Sequence, residues 1–167
     1  MTGSVFGDPL TAKITAFLHE IGLQVRPGEV LGDTALPGID IDCGALVVDE
    51  AKMTWPGDLL HEAGHLAVVP PQRRATFHHD VGNDPAEEMM AIAWSYAAAK
   101  HLEIDPALVF HEGGYRGGPA AIVEAFSSGG TIGTPMLDYA GMACEPKWAA
   151  ERGVKPYPHM LRWLRGA

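Results

Sequence analysis

His61-Glu62-Ala63-Gly64-His65 sets two imidazoles four residues apart with a carboxylate between them. On an α-helix, residues i and i+4 project from one face, so both rings can reach one divalent cation while Glu62 points at water beside it. Such a ligand pair fits Zn²⁺, whose charge lowers the pKa of water toward ~7. Glu62 would then accept the proton as water attacks a carbonyl and pass it to the leaving amine. The expected chemistry is amide hydrolysis, with peptide bonds foremost. Most histidine pairs at this spacing are only the polar stripe of an amphipathic helix. Here Leu59, Leu60, Leu66, Ala67 and Val68 flank the motif, so three ionisable groups ride on a strongly apolar helix. Burying them unpaired is costly, and a metal satisfies all three.

Catalytic zinc usually takes three protein ligands and keeps one position open. Glu87 and Glu88 follow His65 by 22 and 23 residues, in the first turn of the next expected helix, where carboxylates also suit the positive end of the helix dipole. Helical phase favours Glu88, which shares a face with the small residues Ala91 and Ser95 and with Ile92. Glu87, beside Met90 and Trp94, is the alternate third ligand. An oxyanion developing on the substrate needs a donor. His111, Tyr115 and Arg116 are candidates because Phe110 to Gly118 reads as a Gly-rich loop able to cover a cleft; Tyr139 is a remoter one. His78, His79 and Asp80 read as a solvated loop, since adjacent histidines converge poorly on one ion without further donors.

These groups need elements to hold them. Asp8-Pro9 starts a helix that Gly22 ends, with Leu10, Ile14, Phe17, Leu18 and Ile21 at helical spacing. Leu23–Val25, Ile39–Ile41 and Ala45–Val48 read as short strands of a small antiparallel or mixed sheet, separated by Gly and Pro turns. After Trp55-Pro56-Gly57, Asp58 is placed to cap the helix that carries the motif from Leu59 to about Val68, before Pro70-Pro71 stops it. Residues 70–86 read as a surface loop, 86–102 as a buried alanine-rich helix, and Pro119–Phe126 and Pro158–Leu164 as short helices. The expected fold class is α+β, a small sheet packed against an active-site helix and a second buried helix.

The chain has 167 residues, enough for one domain with a core that needs no structural metal. Its formal charge of −9, with no Lys or Arg stripe, argues against nucleic acid as a direct ligand. Cys43 and Cys144 stand far apart and outside any Cys-x-x-Cys pair, so they read as reduced, buried thiols. No apolar run reaches the ~18 residues of a membrane span. The N-terminus lacks the pattern of a secretory signal. A soluble, cytoplasmic protein is expected.

With His61-Glu62-Ala63-Gly64-His65 followed by a helix opening at Glu87-Glu88, the chain resembles the gluzincin group of zincin-like metallopeptidases, whose third ligand is a Glu on a later helix. Length and interval are most similar to minimal zincins such as the ImmA/IrrE-type regulatory peptidases, in which a Glu precedes an Ala by three positions, as Glu88 precedes Ala91; Ile92 stands where an Asn usually follows. The resemblance covers residues 58 to 95. It implies one Zn²⁺, a peptide or protein substrate, and a sheet edge able to bind an extended substrate by β-addition. Two readings compete with a peptidase: a catalytically silent zincin-like domain that binds metal or a partner, and a hydrolase of a small amide or ester.

Overall fold

Asp8 opens the first helix, α1 (Pro9–Glu20), accepting a hydrogen bond from the Thr11 backbone N–H at 2.7 Å. In this computed structural model, which describes residues 5–114 and 118–167, α1 buries Ile14, Phe17 and Leu18 against the core. Three strands follow, β1 (Val25–Pro27), β2 (Ile39–Asp42) and β3 (Ala45–Val48). β3 is central, parallel to β1 and antiparallel to β2, so the small sheet is mixed. Its first strand begins two residues later than Leu23. Cys43 and Gly44 join β2 to β3 with φ of 49° and 81°, the paired positive φ of a two-residue type I′ turn. A Cβ on Gly44 would lie 2.6 Å from the Arg74 carbonyl oxygen, so only glycine lets this turn dock there.

The motif helix is α2 (Asp58–Ala67). Asp58 is not its cap. The Trp55, Pro56 and Gly57 carbonyls take the N–H groups of residues 58, 59 and 60, so the first turn is satisfied by the backbone ahead of it. The buried Asp58 carboxylate is free to pair elsewhere. At the other end, Arg74 Nε donates to the Leu66 carbonyl at 2.6 Å and the Arg165 N–H to that of Ala67 at 2.9 Å. Both ends of the ligand-bearing helix are thereby fixed.

Residues 70–86 are more ordered than a plain loop. They contain α3 (Pro71–Arg74), and the following stretch lies along β2: the Phe77 carbonyl accepts from Gly44 N–H, and His79 N–H donates to the Ile41 carbonyl at 2.8 Å. The sheet has two edges, β1 and β2, and the one at β2 is not open. Ile39 N–H already bonds the Leu36 carbonyl, and Ile41 N–H bonds Asp40 Oδ1, so the outer side of β2 is largely occupied by the chain itself.

The second long helix, α4 (Pro85–His101), is capped by Asp84 and buries Met90, Ala91 and every residue from Ala93 to Ala99. Such all-round burial belongs to a core helix. After a 3₁₀ turn at Pro106–Leu108 come α5 (Pro119–Ser127), as expected, and two helices not expected, α6 (Thr134–Tyr139) and α7 (Pro146–Arg152). Pro158–Leu164 is not a helix. Leu161 and Arg162 N–H both donate to the Met142 carbonyl, and Tyr157 N–H to that of Cys144, so its donors are spent on another segment. Trp163 packs edge-on to Phe17 and Trp94. No helix among the described residues is long and apolar enough to cross a membrane.

Candidate metal centre

The site depends on how closely α2 and α4 approach. A Cβ on Gly64 would lie 2.9 Å from the Ala91 carbonyl oxygen and 3.2 Å from both Ala91 Cα and Ser95 Oγ. Ser95 Oγ, fully buried, donates to the Ala91 carbonyl at 2.6 Å. The small residues in the middle of the motif and on α4 therefore set the helix spacing. Gly64→Ala is expected to push the helices apart by tenths of an ångström, to cost about 1–3 kcal/mol of stability, and to weaken metal binding. Urea denaturation of the metal-free variant and a metal titration would check both effects.

At that spacing three donors converge. His61, His65 and Glu88 each offer a ligand atom to one point. His65 Nε2 lies 3.2 Å from His61 Nε2 and 3.0 Å from Glu88 Oε2, and His61 Nε2 lies 3.6 Å from Glu88 Oε1. Donors around a tetrahedral zinc at ~2.0–2.1 Å stand about 3.3 Å apart. The separations found here lie near that value, the two carboxylate distances being to different oxygens, so the three side chains are close enough to share one divalent cation. Only one carboxylate of the pair takes part. Glu87 is turned away into an ion pair with Arg73, whose Nη2 donates to Glu87 Oε2 at 3.0 Å.

Without a cation, burial and the neighbouring charges move the two imidazoles in opposite directions. Burial, with the charge of His65, pulls His61 down to about 4, leaving a neutral imidazole ready to ligate. Burial also works against His65 protonation, but the hydrogen bond to Glu88 and the charges of Glu62, Glu88 and Glu87 outweigh it and raise its pKa. The hydrogen bond from His65 keeps Glu88 ionised. A metal held here would compete with a proton for His65. Glu62 is different: burial raises its carboxyl to about 6, with Glu88, Asp58 and Asp80 reinforcing the effect.

Glu62 lines the same cleft as the three donors, a hollow of about 370 Å³ whose walls include Ala35, Leu36, His79, Asp80 and Val81. His79 and Asp80 reach it because their segment docks on β2, and His79 Nδ1 is held 2.9 Å from Asp40 Oδ2. No local pattern in the sequence pointed to them as cleft residues. His111 stands beside the cleft, near enough for its charge to act on His61. Its Nε2 sits 2.6 Å from Asp58 Oδ1, its ring stacks on Trp55, and it does not line the cleft. Asp58 takes only Nε2; the other ring nitrogen, Nδ1, is buried with no hydrogen-bond partner among the described residues. Tyr115 and Arg116 lie outside the described residues. Tyr139 is 91% exposed and lines a different hollow with Arg162 and Arg165.

No protein-family model matches the chain, and no curated protein or solved structure does. What the cluster can do follows from its own atoms.

Proposed function

We propose that this protein is a zinc-dependent hydrolase of zincin type that cleaves amide bonds in a peptide or protein substrate. The observation that carries the reading is the convergence of His61, His65 and Glu88 at 3.0–3.6 Å with Glu62 in the same cleft. Two imidazoles and one carboxylate suit zinc by ligand type and number. Bound there, zinc supplies the charge that acidifies water and polarises a carbonyl. His61 and His65 hold it from one helix face, and Glu88 supplies the balancing charge from the other helix. Glu62, with its carboxyl near 6, can take a proton from water at neutral pH and return it to the leaving nitrogen. The apolar wall of Ala35, Leu36 and Val81 is suited to a substrate side chain.

Stripping with a chelator is expected to abolish hydrolysis of a mixed peptide library, and one equivalent of zinc to restore it. Hydrolysis that survives complete removal of metal would overturn the proposal. One observation favours the silent, partner-binding alternative: the outer side of β2 is bonded within the chain, so it cannot align an extended peptide by simple strand addition. Under that reading the zinc-loaded protein cleaves nothing in the library, and a partner captured by it binds Glu62→Gln equally well.

A further inference from the structure

Behind the wall of the cleft, the β2–β3 turn and the segment docked on it bring together a second, chemically different set of donors. Asp42, Cys43 and His78 each present one ligand atom, and the three atoms lie within 4.8 Å of one another. His78 Nδ1 is 3.2 Å from Asp42 Oδ1. Arg26 Nη2 occupies the other carboxylate oxygen, Oδ2, leaving Oδ1 for a further partner. Cys43 follows Asp42 directly in the turn, and its thiol, with Arg26 and His78, holds the Asp42 carboxyl below its ordinary value. Cys43 is exposed, in contrast to the buried Cys144.

We propose that Asp42, Cys43 and His78 form a second divalent-metal site, for a zinc-class cation, separate from the centre on α2 and α4. A thiolate, an imidazole and a carboxylate are the donors that zinc takes, at ~2.3 Å from sulfur and ~2.0–2.2 Å from nitrogen and oxygen. The backbone holds them before any ion arrives. Cys43 is fixed by the positive φ of the hairpin turn. His78 is bracketed by two backbone bonds to that hairpin, Gly44 N–H to the Phe77 carbonyl at 2.9 Å and His79 N–H to the Ile41 carbonyl at 2.8 Å. Donors ordered in advance lower the entropic cost of binding. On binding, the Cys43 thiol loses its proton to solvent and the sulfur bonds the metal. The exposed setting leaves remaining positions to water. The His78 ring stands 3.8 Å from that of His79, and His79 and Asp80 line the cleft, so an ion here would pin the segment that forms one cleft wall.

Cobalt titration of the full, metal-stripped chain tests the proposal, because a thiolate–cobalt bond gives a charge-transfer absorption that a two-His, one-Glu centre cannot give. The wild type is expected to take up two equivalents and to show that band. The double variant His61→Ala/His65→Ala should keep one equivalent and the band; Cys43→Ser should keep one equivalent and lose the band; His78→Ala should weaken the band-forming step by at least tenfold. In unaltered protein, saturating zinc should slow modification of Cys43 by a thiol reagent at least tenfold. Cobalt uptake without a thiolate band, or a Cys43 reactivity indifferent to zinc, overturns the proposal. Failure of the His61 centre would leave the band unchanged, so the two readings fail separately.

Discussion

Glu62→Gln is expected to keep its zinc and to lose about 10²–10⁴-fold in kcat, the usual contribution of a positioned general base. The amide preserves the shape and burial of the side chain but cannot accept a proton at neutral pH. A second readout shows that the loss is not one of folding. In the metal-free protein the folded carboxyl sits at about 6 against an ordinary 4.5. A raised carboxyl contributes stability that is fully present below pH 4.5 and is lost as pH rises through 6, about 2 kcal/mol in all. Glu62→Gln has no such term. Its stability should therefore gain on that of the wild type between pH 4.5 and pH 7. His61, lowered to about 4, contributes the opposite slope in both proteins, so their difference reports position 62 together with the part of the His65 shift that the Glu62 charge supplies. Zinc content, turnover of a library-identified substrate, and urea denaturation at the two pH values measure the three effects. Full turnover by a zinc-loaded Glu62→Gln would remove Glu62 from the mechanism.

The parts of the site that could be read from sequence are those set by short-range geometry. Two histidines one turn apart on an apolar helix must share a face. The small residues Ala91 and Ser95 marked the face of the second helix that carries Glu88. Glu88 followed from helical phase, because the face that carries Ala91 and Ser95 is the one that meets α2. What escaped depends on pairings between distant residues. Asp58 looked like a helix cap, and only the return of the chain 53 residues later brings His111 to it. His79 and Asp80 are exposed, as read from the sequence, but the docking of their segment along β2 also makes them line the cleft. The same docking occupies one of the two sheet edges, where a zincin-like fold was expected to offer an edge to substrate. Near the C-terminus, Pro158–Leu164 had the apolar content of a short helix. Trp163 and the backbone of residues 157–162 instead fill and seal the core beside α1, α4 and the 142–144 segment.

The choice between adjacent carboxylates gives a second large expected effect. Glu88→Gln should lower zinc affinity by at least about a hundredfold, more than loss of an outer-shell partner, which costs 10–100-fold. It removes the negative charge and one of the two carboxylate oxygens, leaving a neutral amide oxygen, a much poorer zinc ligand, opposite His65. Glu87→Gln breaks only the pair with a half-exposed Arg73. Such surface pairs contribute at most about 1 kcal/mol, so affinity should change by less than about fivefold. Arg73→Ala removes the same pair but leaves the Glu87 charge that acts on His65 in place, so its change in affinity should be at least as small. The two glutamates share a charge, a helix turn and nearly the same distance in sequence from His65, so composition and helix propensity cancel in the comparison. What remains is direction. Retained zinc in Glu88→Gln with loss in Glu87→Gln would require α4 to turn by about 100°. That turn would drive Trp94, fully buried with its Nε1–H on the Trp163 carbonyl at 2.9 Å, out of the core. The packing of α4 thus fixes which carboxylate faces the histidines, and isothermal titration of zinc into the three metal-free variants measures it directly.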